Sequence, residues 1–442
     1  MSYLKAIVTA LVFATLPAAA FAQSSAINAS IEGTIKDSSG ALMPGVTMTV
    51  TNLATGASRV VISNEAGLFR AQLLPLGTYR IEAELSGFKK SAREGIQLTV
   101  GEVAVVNVTL EIGALAESVT VTADSPVVEP AKIDLGRVID DREVHNIPLV
   151  SRNPYNFALL QANVTGYENE EFGASRINAN GTQMRTNYQL DGNTNTQKDR
   201  AGLRMQPASE IYVGEINLVT SGFAPEFGQT TGMVYNIVSP SGSNDIKGNA
   251  SYRFQRNGFS SRPFFLSSTA PKPDTNVDTG NFTIGGPIKT DRWHYYAGYE
   301  NVQRSLSSDR VITVTPVNAA RLGITSALGD GVIPADANAH FVIAKTDYQV
   351  NPRNKLSVRY TLFDQVVADN IGGGLNTLER SYDFDDRVDN VAAQLVSTIG
   401  TDKLNELRVS WIKRDTIRTL NGNTASGPSI VVSGVANFGA PT

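Results

Sequence analysis

The residue types that do chemistry are sparse in this chain, and their spacing argues against a reaction centre. His145, His294 and His340 sit in three separate segments without ligand-spaced neighbours, so surface or lumen histidines are expected rather than a metal site. Asp383, Asp385, Asp386 and Asp389 form the densest acidic cluster. Their charge suits Ca²⁺, but the spacing is not that of an EF-hand loop and the glycine is missing, so a solvated acidic turn is expected. No G-x-S-x-G elbow, G-x-x-x-x-G-K-[ST] loop or H-E-x-x-H pair occurs. With no cysteine, disulfides, thiolate metal sites and a cysteine nucleophile are all excluded. The expectation is a protein that is not an enzyme and holds no metal or cofactor.

What remains is positioning and binding. The 38 Lys+Arg against 42 Asp+Glu give a formal charge of −4, which argues against a basic nucleic-acid surface. At roughly 100–200 residues per domain, 442 residues predict two to four domains. The 38 Gly, 14 Tyr and 17 Phe suit β-structure with many turns, and a charged fraction of 18% is low beside the ~25% usual for soluble domains. Residues 1–22 have the form of a signal peptide: Lys5, the apolar run Ala6–Ala20, then Ala20-Phe21-Ala22 before Gln23. Pro17 and the polar Gln23-Ser24-Ser25 leave that run short of a spanning helix. No later segment approaches one, so a membrane-embedded part has to be a closed β-barrel.

Residues 27–112 alternate β-branched runs with turn signals. The runs are Ile31–Ile35, Val46–Asn52, Arg59–Ser63, Gly67–Gln72, Gly77–Leu85, Ile96–Val100 and Val103–Leu110, a pattern that predicts a small antiparallel sandwich. Gly33-Thr34-Ile35-Lys36-Asp37-Ser38-Ser39-Gly40, Pro44-Gly45-Val46, Asn64-Glu65-Ala66-Gly67-Leu68-Phe69, Leu74-Pro75-Leu76-Gly77-Thr78-Tyr79 and Ser86-Gly87-Phe88-Lys89-Lys90 follow in order. Together they resemble the carboxypeptidase regulatory-like domain. The resemblance implies a transthyretin-like sandwich without catalysis, acting as a spacer or binding a carbohydrate or a partner.

Residues 113–130 form a linker containing a β-prone heptad that ends Ser118-Val119-Thr120-Val121-Thr122-Ala123. Alone, that segment suits the last strand of any sandwich. Placed between this module and the next, it resembles the TonB box, the strand through which outer-membrane receptors add themselves to a sheet of the TonB protein.

In residues 131–248 the composition shifts toward Asn, Gln, Arg and Gly. A short helix is expected over Asp141–Asn146. A second is expected from Ser151, a helix cap, with Pro154 in its first turn. Strands are expected over Ile211–Thr220 and Met233–Val238. The order of Pro148-Leu149, Arg152-Asn153, Asn180-Gly181, Leu190-Asp191-Gly192, Pro225-Glu226-Phe227-Gly228, Gly232 and Asn236-Ile237-Val238 resembles the plug domain of TonB-dependent outer-membrane receptors, especially the Oar-like group that carries a regulatory-like domain in front. Two positions depart from that pattern: Gly232-Met233 replaces a double glycine, and Ser239-Pro240 stands where a lysine is frequent. A plug sits in a polar lumen, so Arg152 and Arg185 are expected to contact acidic groups on the barrel wall. Arg200 and Arg204 are expected in a loop facing substrate or solvent.

From Asn249 to the last residue the pattern becomes period-2. Ala250, Tyr252 and Phe254 alternate with Ser251, Arg253 and Gln255. Trp293, Tyr295, Ala297 and Tyr299 alternate with His294, Gly298 and Glu300, with Tyr296 as the exception. Leu356, Val358, Tyr360 and Leu362, then Val391, Ala393 and Leu395, then Leu407, Val409 and Trp411 behave likewise. Apolar or aromatic residues on one face and charged ones on the other are what lipid and lumen demand of a transmembrane strand. Tight turns at 351–354 and 400–403 and long loops at 304–338 and 365–385 fit such a barrel. Residues 249–442 have room for about seven or eight strands, whereas plugged transporters have about 22. A partial barrel belonging to a longer, truncated receptor is therefore expected. The fold expected overall is mainly β: a sandwich, an α+β plug and a partial transmembrane antiparallel β-barrel.

The resemblance implies a Gram-negative outer-membrane receptor that binds outer-membrane lipid and a scarce or bulky solute such as a siderophore, oligosaccharide or peptide. It would import that solute when TonB pulls on 118–123 and displaces the plug. The alternative is an adhesion or assembly protein that uses the barrel as an anchor and the sandwich for partner or glycan binding. A secreted carbohydrate-active enzyme ranks third.

Overall fold

Alternation of apolar and polar residues builds the first unit. In β1 (Ala29–Asp37), Ala29, Ile31, Gly33 and Ile35 are buried while Ser30, Glu32 and Thr34 between them are only half-buried. The computed structural model describes residues 27–113, 118–122, 134–149, 152–167, 177–183, 185–198, 202–223, 227–228, 230–259, 261, 275–306, 310–329, 331, 333, 336–371, 373–400 and 403–441. The expected signal peptide lies outside these residues. β1 is followed by β2 (Thr47–Asn52), β3 (Ser58–Ile62), β4 (Leu68–Leu74), β5 (Gly77–Glu84), β6 (Lys90–Leu98), β7 (Val103–Val105), β8 (Val108–Leu110) and β9 (Ser118–Thr122). One sheet pairs β4 antiparallel to β1, with β7 and β8 parallel to successive parts of β1. The other runs β3-β2-β5-β6-β9. Between them lies a core containing Ile31, Ile35, Met48, Val50, Phe69, Tyr79 and Ile81.

The run Val103–Leu110, expected as one strand, is two. At the break Val106 N donates to Glu32 O at 2.7 Å, and the Asn107 carboxamide accepts from Thr34 N at 3.0 Å and from the Thr34 hydroxyl at 2.8 Å. A side-chain acceptor thus replaces the missing ladder bond, as a buried backbone donor requires. Gly33 makes this crossing feasible, because a Cβ there would lie 1.9 Å from Val106 O.

The second unit is a mixed sheet, order β10-β16-β17-β14-β15. It contains β10 (Leu135–Asp140), β14 (Thr186–Leu190), β15 (Asn193–Thr194), β16 (Glu215–Ser221) and β17 (Met233–Val238), beside a small sheet of β11 (Val164–Gly166), β12 (Ile177–Ala179) and β13 (Thr182–Gln183). Both β14 and β17 are buried along their whole length. Helix α1 (Asp141–Asn146) forms where expected, capped by Asp140 accepting from Glu143 N at 2.8 Å. The second expected helix is a 3-10 helix, Pro154–Leu160, whose cap is Asn153, accepting from Tyr155 N at 3.1 Å. Ser151 lies outside the described residues. Proline suits the first helical position because its missing N–H is one of the unpaired donors there. The strand expected from Ile211 begins only at Glu215, because Glu210–Tyr212 closes a 3-10 turn capped by Ser209.

The third unit is a seven-stranded antiparallel sheet in sequence order. Its strands are β18 (Lys247–Gln255), β19 (Thr275–Lys289), β20 (Trp293–Leu306), β21 (Ala337–Asn351), β22 (Asn354–Val367), β23 (Asp383–Ile399) and β24 (Lys403–Thr419). From β19 onward they are longer than the ~9–11 residues a tilted strand needs to cross a bilayer. β18 and β24 are its edges; the described strands do not close a ring. The sequence pattern passes over β19 and β21. In β19, Gly280, Gly285, Gly286 and Pro287 blur the dyad. Tyr252, Phe254, Trp293, Tyr299, Leu407, Val409 and Trp411 are exposed on one face, while His294, Glu300, Arg359, Thr361, Asp386 and Asn390 are buried on the other. Polar groups inside and aromatic groups outside invert the order of a soluble sheet and suit lipid on the outer face. No helix among the described residues is long and apolar enough to cross a membrane, which does not bear on strands.

The acidic cluster differs from its expectation. Asp383, Asp385, Asp386 and Asp389 all lie in β23, and Asp386 is buried against Arg414 with two bonds of 2.7 and 2.8 Å. A strand sends alternate residues to opposite faces, so a cluster in sequence is separated in space. The long connections are also built. Helix α2 (Pro316–Leu322), capped by Thr315, packs with Ile312, Ile324, Ile333 and Ala436 of the hairpin β25 (Ser429–Val432) and β26 (Ala436–Gly439) into a separate apolar cluster. The short turns lie at the other end, beside the sandwich: a Cβ at Gly56 would meet Asp291 of the β19–β20 turn, and Asn244 N, just before β18, donates to Ala54 O at 2.8 Å.

Gly33→Ala is expected to destabilise the sandwich by ~1–3 kcal/mol through overpacking. The readout is a lower denaturant midpoint for the sandwich transition of the purified protein; an unchanged midpoint would mean the crossing relaxes without cost.

Candidate functional site

The mixed sheet meets the inner face of the seven-stranded sheet through buried charged groups and through an apolar cluster that its own core shares with Val302, Phe341, Ile343 and Phe363. The chain reverses after β14 at Asp191 and Gly192, both left-handed (φ 49° and 66°), a conformation Asp tolerates and Gly favours. Asp191 N donates to Ile237 O at 2.8 Å, which pins the reversal to β17. The Asp191 carboxylate then accepts from Ser239 N and from the Ser239 hydroxyl, both at 2.7 Å, and from the Arg359 guanidinium of β22. Lys345 of β21 donates to the carbonyl and hydroxyl of Ser239, each at 3.0 Å. Asn236 accepts from Gly192 N at 3.1 Å, and Arg408 of β24 donates to Gly192 O at 3.0 Å. Burial pushes the Asp191 carboxyl up, but Lys345, Arg359 and the Ser239 bonds outweigh it and hold it below its ordinary value. Arg359 is 2% exposed, so this carboxylate compensates a charge that water cannot reach. Where the plug pattern has a lysine, Ser239 stands, and the ammonium group comes from the wall as Lys345.

A second contact centres on Glu210, which the sequence reading did not single out. Arg253 of β18 donates to both its oxygens, at 3.2 and 2.6 Å, and Arg152 lies 3.5 Å from Oε1. The neighbouring Ser209 hydroxyl donates to Glu300 of β20 at 2.7 Å. Arg152 therefore reaches the wall only through Glu210 of its own domain, a correction to the expected direct contact. Arg185 is exposed, and its carbonyl serves the turn by accepting from Gly232 N at 3.2 Å. The charges run opposite to expectation: at both contacts the carboxylate is on the inner domain and the guanidinium on the wall. Arg204 is also corrected, being buried with its guanidinium 5.7 Å from the Tyr155 ring. Arg176, Arg200 and Glu226 lie outside the described residues.

Between these contacts lies an apolar centre with polar ends. Tyr155 packs edge-on to Tyr188 and Tyr235, with ring centroids 4.9 and 5.0 Å away. Gln206 joins this centre to the wall: its backbone carbonyl accepts from Tyr155 at 3.2 Å, and its side-chain oxygen accepts from Thr361 at 3.0 Å. Tyr212 donates to Leu362 O at 2.6 Å. Tyr296, which broke the dyad of β20, turns inward and donates to Ile211 O at 3.1 Å. Of the remaining motif residues, Leu190 is in the core, and Asn153 caps the 3-10 helix. Gly228 O accepts from Asn187 at 2.8 Å. At Gly232 a Cβ would lie 2.7 Å from Arg185 O.

Ser118–Thr122 does not stand apart as a linker. It is β9, paired in parallel with β6; Ala123 lies outside the described residues. The sandwich also touches the inner domain, where Glu215 accepts from Val100 N at 2.9 Å. Burial, with Glu102 and Asp140 adding to it, raises the Glu215 carboxyl to about 7 although the Val100 bond opposes the shift. The histidines are scattered: His145 bonds Asp141, His294 bonds Asn244 and His340 bonds Tyr299. No group of three metal-ligating side chains occurs among the described residues.

Residues 30–111 match the carboxypeptidase regulatory-like domain, and residues 238–341 match the outer membrane beta barrel domain. The sequence is 30% identical over 299 residues to the TonB-dependent transporter Oar of Myxococcus xanthus, covering 64% of this chain and 27% of that protein. The chain thus spans well under a third of that curated relative's length. The outer membrane transporter YddB from Escherichia coli superposes with a TM-score of 0.49 at 12% identity, over 63% of this chain and 38% of that one. The siderophore receptor PirA from Acinetobacter baumannii gives 0.47 at 14%, over 70% and 43%. The motif resemblance to TonB-dependent receptors with a regulatory-like domain is matched by the two domain families and by the transporter relative.

Asp191→Ala should cost ~3–5 kcal/mol, because it leaves Arg359 buried without its carboxylate. Asp191→Ala combined with Arg359→Met should cost less than the sum of the single changes; denaturant unfolding of the four forms measures this, and strict additivity would refute the coupling. The Glu215 contact should weaken with pH. Between its ordinary 4.5 and about 7 the docked carboxyl keeps a proton that the undocked one has lost, so docking loses stability as pH rises through that window. Protection of the Val100 amide, corrected for intrinsic exchange, should fall between those pH values in the native protein and stay flat in Glu215→Gln.

Proposed function

We propose that this chain supplies the sandwich, plug and first wall strands of a TonB-dependent outer-membrane transporter. The proposed division is a signal peptide over 1–22, the sandwich over 27–112, a linker with the TonB-docking strand over 113–130, the plug over 131–248 and wall strands over 249–442. The observation that carries this reading is a mixed sheet seated on the polar face of long antiparallel strands whose opposite face is aromatic and exposed. The domain is held by buried ion pairs and hydroxyl contacts and by an apolar cluster that joins Ile211 and Tyr212 to Phe341, Ile343 and Phe363 of the wall, so its withdrawal as a unit has to break both. The 30% identity to a TonB-dependent transporter supports the same reading.

In this reading the solute binds on the side of the built loops and α2, and TonB engages Ser118–Ala123 on the sandwich side. Pull transmitted through the linker to β10 then breaks the Asp191–Arg359 and Glu210–Arg253 contacts and opens a path. The solute is a scarce or bulky compound of the siderophore, oligosaccharide or peptide class, and the protein performs no covalent chemistry on it.

Deleting Ser118–Ala123 in the full-length protein should abolish solute uptake by intact cells while leaving surface binding of the same labelled solute unchanged. Uptake that survives the deletion would refute the transporter reading. Loss of both uptake and binding, with normal amounts in the outer membrane, would point to an assembly defect.

A further inference from the structure

The segment proposed to dock TonB is not presented free. In β9, Ser118 to Thr122 pair in parallel with Lys90 to Glu94 of β6, and the opposite side of β6 pairs with β5. β9 is therefore the outermost strand of the β3-β2-β5-β6-β9 sheet, and one of its two hydrogen-bonding edges is occupied by its own chain. Without β9, β6 would be the sheet edge, the kind of unpaired template that invites unwanted strand addition. The sandwich and the segment thus cover each other.

The connection makes this pairing hard to displace. Phe88 and Ile112 form an isolated bridge, and Gly113 N donates to Gly87 O at 3.2 Å. Only residues 114–117 separate that fixed point from Ser118. A tether this short gives an intramolecular strand an effective concentration in the ~mM range, above that of any dilute partner. A partner that binds by strand addition sees the segment only in the fraction of molecules where β9 has left β6, and its apparent affinity is reduced by that fraction.

We propose that the carboxypeptidase regulatory-like sandwich is an internal competitor for the TonB-docking strand, holding Ser118–Thr122 on the edge of β6 until TonB captures it. This deepens the proposed function and rests on its assignment of 118–123 as the docking segment. The sandwich then sets a threshold for engagement. It does so through backbone pairing, the same chemistry the partner uses, so no dedicated ligand site on the sandwich is needed.

The test exploits the absence of cysteine from the chain. Ser91 and Val119 are register partners, so Ser91→Cys with Val119→Cys places two thiols on adjacent strands at a spacing that a disulfide can span. Full-length protein in outer-membrane vesicles is titrated with the periplasmic domain of TonB, oxidised and reduced. Oxidation should weaken binding at least tenfold, and reduction should restore it. Lengthening 114–117 with a Gly/Ser insert of about a dozen residues should tighten binding several-fold in the otherwise native chain, because effective concentration falls roughly as the −3/2 power of tether length. Equal binding of the fully cross-linked and reduced forms would overturn the sequestration and show addition to the outer edge of β9. No TonB binding by either the native chain or the chain with the lengthened tether, despite complete cross-linking of the cysteine variant, would overturn the docking assignment instead.

Discussion

The buried Asp191 carboxylate is the interaction on which the arrangement of the plug depends. It accepts from Ser239 of its own domain and from Arg359 of the wall, while Lys345 reaches the same Ser239. Burying two such charges separately would cost several kcal/mol each, so neither surface is stable in this form without the other. The left-handed turn at Asp191-Gly192, the parallel pairing of β14 with β17 and the inward face of β22 all serve to bring these groups together. The interface is therefore specific in register.

The division between apolar and polar surface follows from two solvents. The sandwich buries its apolar faces between its own sheets. The wall sheet exposes tyrosine, tryptophan and leucine outward and keeps arginine, glutamate and asparagine inward, because lipid rewards the first and the plug's hydrogen-bonding groups satisfy the second. The plug belongs to neither solvent. Its tyrosine cluster belongs to one apolar core shared with Phe341, Ile343 and Phe363 of the wall, while Gln206, Ser209, Glu210 and Tyr212 carry polar ends to the wall. Tyr296 shows the same logic from the other side, breaking the outward aromatic pattern to reach Ile211 O.

The sandwich is more than an appendage in this arrangement. It contacts the plug at Glu215, touches the segment before β18 through Ala54 and holds β9 on its edge. Strand, plug and sandwich are thereby linked by backbone bonds and one carboxylate, groups that open and reclose without chemical change.

Local pattern alone determined much of this protein. Hydrophobic dyads and turn residues marked the sandwich strands, α1 and β17, because their periods are short-range properties of the chain. Outward aromatics against inward charge likewise marked β20, β22 and β24 as wall strands. The Leu190-Asp191-Gly192 turn was visible as a motif, though its partners were not. Arg359 and Lys345 lie more than a hundred residues away, and only the register of β21 and β22 brings them to Asp191. The same holds for Glu210, one acidic residue among 42 Asp+Glu until Arg253 meets it. Arg152 and Arg185 look alike in sequence; which of them reaches a carboxylate depended on how the plug sits against the wall. Whether Ser118–Thr122 lies free or paired was equally beyond local pattern, since a β-prone segment pairs with whichever edge is nearest, and only the tertiary structure places β6 there.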